Sequence, residues 1–232
     1  MIETVSLKLE MEELLAMDDA RRLRGFFGRK YQNRPEFHHH LPTGLLYQHP
    51  LIQYKVLDGA GWITGLKEGA FLLLAMKPPN DVYIRNQHIR IINHQFTREE
   101  IAFGITEEPI RYHFATPWLP FNSENYQQFE KVQRNPGKVD ALLSKILIGN
   151  LLSLSKAVKY VVPDRLQVSL SLDSAREFIL KPADDQHFDS KQGLKMLGFE
   201  GEFEVNFIIP NLWGIGKSSS RGFGTVIRKE AL

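Results

Sequence analysis

The chain has 232 residues, with 29 Lys and Arg against 27 Asp and Glu, 43% hydrophobic and 24% charged residues, and no cysteine. That composition excludes whole-chain disorder, collagen and coiled coil, and without thiols there are no disulfides, thiolate zinc sites or cysteine nucleophiles. The longest apolar stretch, Ala70 to Met76, is seven residues, against about 20 for a membrane-spanning helix. The length suits one large domain or two small ones. Met1-Ile2-Glu3-Thr4 has neither a basic start nor an apolar core, so no secretory signal is expected. A cytoplasmic protein that does not meet membrane is the expectation. With a net charge of only +2, a nucleic-acid binder of this composition has to cluster its cations.

Val5 to Leu9 alternates apolar and polar residues, the period of a strand. Asp18 and Asp19 offer an N-cap for a helix whose apolar stripe is Ala20, Leu23 and Phe27. Arg21, Arg22 and Arg24 lie off that stripe, and Arg29, Lys30 and Arg34 follow, six cations within 14 residues. They read either as a solvated helix face or as a phosphate-binding one. Ile52, Tyr54 and Val56 alternate with Gln53 and Lys55, a strand. Gly59-Ala60-Gly61 reads as a turn and Trp62 to Leu66 as the return strand. Glu68 to Met76 reads as a short helix closed by Lys77-Pro78-Pro79. Val82 to Phe96 and Glu100 to Thr116 carry the branched and aromatic residues of strands. This order suits a ferredoxin-like split βαβ unit with an extra hairpin.

Asn122-Ser123 can cap a helix running to about Arg134, and Pro136-Gly137 reads as an interruption. Val139 to Tyr160 is the longest helical pattern, with an apolar stripe wide enough for a buried helix. Gln167 to Leu172, Gly201 to Pro210 and Thr225 to Arg228 read as strands. The fold class is therefore α+β, with tandem ferredoxin-like (split βαβ, RRM-like) domains expected over residues 1–120 and 121–232.

The strongest local signal runs from Gly214 to Gly224, where four glycines, three serines and two cations sit in eleven residues. Glycines at Gly214, Gly216 and Gly222 permit positive φ and close approach of a ligand. Free amides, the hydroxyls of Ser218 and Ser220, and the cations Lys217 and Arg221 would make a phosphate-binding nest. A flexible tight turn is the alternative. It is not a Walker loop, since Asn211 stands five residues before Gly216, and Ser219 occupies the third position of a dinucleotide fingerprint.

In Phe37-His38-His39-His40-Leu41-Pro42 an extended backbone points His38 and His40 to one face and His39 to the other. The pair can act on one phosphate as acid and base, serve as polar loop residues, or join His49 on a zinc ion. No carboxylate at helical spacing supports the metal. Tyr47 follows beyond Pro42-Thr43-Gly44, and Lys55 is a further cation on the neighbouring strand. Trp62, Trp118 and Trp213 are candidates for stacking on bases, with core packing as the alternative.

Four segments together resemble a known family. Pro210 to Arg228, with the preceding strand Phe203 to Phe207, resembles the C-terminal glycine-rich loop of the RAMP superfamily. Leu23-Arg24-Gly25-Phe26-Phe27-Gly28 resembles the first helix of its CRISPR repeat-RNA endoribonucleases. His38-x-His40 with Tyr47 resembles the active-site segment of their subtype-b branch, and Ile146 to Lys156 its central helix. The resemblance implies tandem ferredoxin-like domains and CRISPR repeat RNA as partner. It also implies precursor CRISPR RNA cleavage without metal or cofactor, through 2′-hydroxyl attack that leaves a 2′,3′-cyclic phosphate.

On that basis His40, with His38 and Tyr47, carries catalysis. Arg22, Arg29, Lys30, Gly214, Gly216, Lys217, Ser218, Ser220, Arg221 and Gly222 bind RNA. Effector-complex proteins are further partners, and a homodimer is the assembly the family suggests. The competing expectation is a catalytically inactive repeat-RNA-binding subunit of an effector complex.

Overall fold

The computed structural model describes residues 1–37, 40–41, 44–45, 49–180 and 194–229. They form two compact units: Met1–Ala102 with Ser219–Gly222, and Phe103–Leu180 with Leu194–Ser218 and the residues from Phe223 onward.

In the first unit β1 (Ile2–Met11) buries Val5, Leu7, Leu9 and Met11, the alternation the sequence shows. α1 (Asp19–Lys30) buries the expected stripe of Ala20, Leu23 and Phe27, and Arg21 as well. Two short strands, β2 (His40–Leu41) and β3 (Gly44–Leu45), pair with each other. β4 (Ile52–Leu57) and β5 (Ala60–Leu66) form a hairpin whose turn is Asp58-Gly59, with φ of 50° and 76°. The expected turn at Gly59-Ala60-Gly61 is thus one residue too late, because Leu57 pairs directly with Ala60 and two left-handed residues suffice to reverse the chain. α2 (Glu68–Leu74), β6 (Asp81–Ile84) and β7 (Gln87–Ile101) follow. Arg85-Asn86, both with positive φ, turn β6 into β7.

The sheet order is β4-β5-β1-β7-β6. Leaving out the β2–β3 and β6 additions, β1-α1-β4-β5-α2-β7 is a ferredoxin-like βαββαβ unit. Its fourth, first, third and second strands lie side by side in that order.

The second unit repeats the plan with β8 (Gly104–Phe114), α3 (Ser123–Val132), α4 (Pro136–Ala157), β9 (Val168–Leu180), β10 (Leu194–Ile208), β11 (Trp213–Gly214) and β12 (Thr225–Arg228). Its sheet order is β11-β12-β8-β10-β9. The tandem ferredoxin-like α+β fold is therefore present. Here the crossover from the third strand, β10, to the fourth, β12, carries the glycine-rich segment where the first unit has α2.

Pro136-Gly137 does not interrupt anything: it opens α4. Asn135 caps the helix by accepting the Lys138 amide at 3.1 Å, and proline at the first helical position needs no amide partner. β9 and β10 pair from Val168–Val205 out to Leu180–Leu194, well beyond the alternating stretches. The β9 side of that outer ribbon is largely exposed, and burial on the β10 side does not alternate, so no period-two signal marks it.

One buried carboxylate ties α1 to the β6–β7 turn. Asp19 is fully buried and accepts the Ala16 amide at 2.8 Å, Arg22 at 2.8 Å and the Arg85 Nε at 2.9 Å. Burial alone would raise its pKa, but Arg85, the Ala16 amide and Arg22 together hold it below the usual carboxylate range. Its contribution to stability is therefore present above the unfolded carboxylate pKa of about 4 and is lost as pH falls through the lower folded value. Asp19→Asn should cost about 3 kcal/mol at pH 7, because it removes the buried carboxylate with which both Arg22 and Arg85 pair. Urea unfolding at pH 7 and at successively lower pH checks this: the two proteins should differ at pH 7, and the difference should narrow as pH falls through the folded pKa. Equal midpoints at pH 7 would show that the ion pairs carry no net stability.

Candidate functional site

His38 and Tyr47 lie outside the described residues. The His40 backbone begins β2 and pairs with Leu45. The segment between them is anchored at both ends. On entry, Phe37 ends a 3₁₀ turn (Pro35–Phe37), is buried, and stacks on Tyr31 at 4.7 Å between ring centroids. Its carbonyl accepts the Tyr54 hydroxyl at 3.1 Å. On return, His49 is buried and its Nε2 lies 3.2 Å from the Gln53 amide nitrogen. β4 therefore holds both ends of the histidine segment.

β4 is buried on both faces. Ile52, Tyr54 and Val56 join the apolar core, while Gln53 and Lys55 point the other way and are each 0% exposed. Lys55 Nζ donates to Thr64 Oγ1 at 2.9 Å and to Gln53 Oε1 at 3.2 Å. With its oxygen accepting from Lys55, Gln53 donates through its nitrogen, so His49 Nε2 is the acceptor and its ring is neutral with the proton on Nδ1. Burial lowers the Lys55 pKa from 10.5 to about 7, because desolvation disfavours the ammonium. A group that exchanges a proton near neutrality thus sits inside a hydrogen-bonded chain, Thr64–Lys55–Gln53–His49.

Cations gather beside α1 and the β4 backbone. The 3₁₀ turn Ser219–Arg221 belongs to the first unit and packs on α1 and β4. Gly222, at φ +94°, makes that approach possible: a Cβ there would stand 2.9 Å from the Ala20 side chain and 3.3 Å from Lys55 Cα. Burial, and then the Arg221 charge, push the Arg24 guanidinium down to about 10, while burial and Arg21 push Arg221 down. All three remain cationic at pH 7. Arg21 is paired with Asp18 at 2.9 Å, so the repulsion an arriving anion relieves is that between Arg24 and Arg221, which is the condition for a phosphate site.

The glycine-rich segment differs from a nest of open amides. The amides of Ile215, Lys217, Gly222, Phe223 and Gly224 donate to the carbonyls of Gly224, Leu119, Ser219, Ser218 and Pro117. Gly216, at φ +87°, lets the backbone pass the Trp118 indole, where a Cβ would come within 2.7 Å of Nε1. Gly214 is buried in β11 opposite Thr225. Tight packing thus consumes these amides, and what the segment offers an anion is side chains: exposed Lys217 and half-buried Ser218, Ser220 and Arg221.

Arg22 is bound to Asp18 at 2.9 Å and Asp19 at 2.8 Å, whereas Arg29 and Lys30 stand exposed at the end of α1. Trp118 and Trp213 are 0% and 1% exposed, so both are core residues and neither can stack on a base. Trp62 is half-buried with the Lys8 ammonium 5.9 Å from its ring. Gln53 and Thr64, which hold Lys55 and reach His49, were not singled out in the sequence, where His49 stood only as a third zinc ligand and Arg24 only as one of six clustered cations. The one signal at hand for Lys55 and Gln53 was their place on the polar face of a strand.

Two family models match the chain, the Cas6b N-terminal domain over residues 1–102 and the Cas6b C-terminal domain over 104–229. The chain belongs to the Cas6b family. It is similar to a solved structure described as Cas6b, at 31% identity and a TM-score of 0.85, covering 98% of this chain and 99% of that one. It is also similar to the crystal structure of a CRISPR RNA processing endoribonuclease Cas6b, at 28% identity and a TM-score of 0.70, covering 99% and 100%. An uncharacterized protein of Methanocaldococcus jannaschii is 37% identical over 150 residues, 65% of this chain and 93% of that one. In this Cas6b chain, then, the residues flanking the histidine segment, Phe37 and His49, the buried lysine and the arginine cluster converge on one strand of the N-terminal unit.

The depressed Lys55 pKa has a definite sign. The folded state binds fewer protons than the unfolded state between about 7 and 10.5. Stability therefore rises with pH across that window, by up to about 1.4 kcal/mol per pH unit. Lys55→Met keeps the stem and removes the ammonium. The stability difference between wild type and this variant should shift in favour of wild type from pH 7 to 10, as read by chemical denaturation. Parallel curves would show that Lys55 titrates normally.

Proposed function

We propose that this protein is an endoribonuclease that binds CRISPR repeat RNA and cuts precursor CRISPR RNA. The full-length likeness to a CRISPR RNA processing endoribonuclease carries the reading. RNA brings its own nucleophile. A base takes the 2′-hydroxyl proton, the O2′–P bond forms, the P–O5′ bond breaks, and an acid protonates the leaving O5′. The products are a 2′,3′-cyclic phosphate and a 5′-hydroxyl, and no metal takes part.

His40, with His38 and Tyr47, supplies the acid, the base and a donor to the phosphate oxygens. Lys55, half-protonated near neutrality, supports them by position: its network holds His49, and with it the return end of the histidine segment. Arg29, Lys30 and Lys217 extend the backbone contacts. Positioning and electrostatics of this kind supply what proton transfer alone does not.

His40→Ala should slow cleavage by about 10²- to 10⁴-fold while affinity for the repeat stays near that of wild type. Cleavage by wild type should continue in EDTA and stop on RNA carrying a 2′-deoxy nucleotide at the cut site. Mapping the product ends checks all three. Tight binding with no cleavage by wild type would instead assign the inactive repeat-RNA-binding subunit. Restoration of activity by one divalent ion after chelation would overturn the metal-free reaction.

Salt dependence tests the arginine cluster. Arg24→Ala and Arg221→Ala should each reduce the slope of log affinity against log salt by about 0.7, the value for one phosphate contact to single-stranded RNA. Arg22→Ala should change it less, since Asp18 and Asp19 already neutralise that charge. Unchanged slopes for Arg24→Ala and Arg221→Ala would place the RNA backbone elsewhere.

A further inference from the structure

The C-terminal unit holds a cavity of about 500 Å³ between the start of α3, the outer end of the β9–β10 ribbon and the edge of the glycine-rich segment. Its volume is that of a small-molecule site. Phe121 and Tyr126 form one aromatic wall, with ring centroids 5.9 Å apart, and Leu180, Leu194 and Met196 supply apolar surface. Tyr126 is 40% exposed and Leu194 63% exposed. Apolar side chains left open to water around a concavity mark a surface that something covers.

The polar groups say what. Gln127 and Glu130 line the cavity and offer donors and acceptors, enough to meet the edge of a planar heterocycle. Lys217 and Ser218 stand at its border. The Lys217 amide is pinned to the Leu119 carbonyl at 2.8 Å, two residues before Phe121. Main-chain structure thus fixes the Lys217 backbone relative to the aromatic wall, with its ammonium within reach on a flexible stem. A concavity lined by aromatic and apolar side chains together with hydrogen-bonding groups and a cation suits a nucleotide, with the ring against the apolar surface and the phosphate on the lysine.

We propose that this cavity receives one unstacked base of the bound RNA, with the adjoining phosphate on Lys217. The proposal rests on the repeat-RNA reading above and adds a site at which a base, not only the backbone, is held. Stacking of a base on an aromatic side chain tolerates sequence, and the groups at its edge bias the choice.

The test is fluorescence anisotropy with the full-length chain and repeat RNAs carrying a single abasic site at each position in turn. At one position the abasic RNA should bind wild type about 5- to 150-fold more weakly. Tyr126→Ala should weaken intact RNA by a similar factor and lose nothing further from that abasic site. Tyr126→Phe, which keeps the ring, should bind as wild type does. Leu194→Asp, at an exposed position, should repeat the loss without lowering the thermal midpoint. The salt slope of Tyr126→Ala should equal that of wild type, since no phosphate contact is removed.

Equal abasic losses in wild type and Tyr126→Ala would overturn the proposal, because the base would then sit elsewhere. Unchanged RNA affinity in both Tyr126→Ala and Leu194→Asp would also overturn it and leave a protein partner as the occupant. Wild type that fails to bind intact repeat RNA would instead remove the RNA reading on which the proposal stands.

Discussion

A strand covered on both faces must hide whatever its sequence places on either one, and β4 is such a strand. On one face it hides Ile52, Tyr54 and Val56, which hold α1 against the sheet. On the other it hides Gln53 and Lys55. A buried ammonium is costly unless its donors are used and its charge can be given up. Here Thr64 and Gln53 accept from it and its pKa falls to about 7. The same hydrogen bonds pass through Gln53 to His49, and the Tyr54 hydroxyl on the opposite face holds the Phe37 carbonyl. One six-residue strand thereby organises the core of its unit, a titratable group, and both ends of the histidine segment.

The two units use the same βαββαβ order for different ends. In the first, both crossovers are helical and close the core. In the second, the crossover into β12 is an irregular glycine-containing segment whose backbone is held by its own turns and by Leu119 and Pro117. Its glycines serve compactness: they let chain pass an indole at Gly216 and a helix at Gly222. Side chains such as Arg221 and Lys217 are carried on a rigid frame as a result. The chain as a whole is nearly neutral, at +2, so its electrostatic character comes from placement. Burial and the neighbouring Arg221 depress Arg24, and burial and Arg21 depress Arg221, while Arg21 is paired with Asp18 and Arg22 and Arg85 are spent on Asp19.

Much of the candidate site could be read directly from residue spacing. The His38-x-His40 interval, the glycine-rich segment and the basic first helix are local patterns, each with a structural alternative, and the family resemblance is what joined them to RNA. What spacing could not convey is depth. Arg22 and Arg24 look alike two residues apart on α1, yet one is paired with two carboxylates and the other faces a guanidinium. Lys55 looks like any polar residue on an alternating strand, because alternation assigns a face and not whether that face meets water. Trp213 looks like a stacking residue beside the loop and is packed away inside the core. The open amides expected of the glycines were taken up by carbonyls from distant parts of the chain, Leu119 and Pro117 among them.

The sequence by itself determined the order of elements, the α+β class and the tandem ferredoxin-like plan. Periodicity and turn residues are local properties, written within a few residues of where they act. Even its errors were local, one residue at the β4–β5 turn and a proline that opens α4 rather than breaking a helix. Tertiary structure alone decided which cations repel, which glycine faces protein, and how far the β9–β10 ribbon extends. It also decided that Lys55 is dry. Those properties depend on groups far apart in sequence arriving at one place, and dielectric environment, unlike periodicity, is a property of that place.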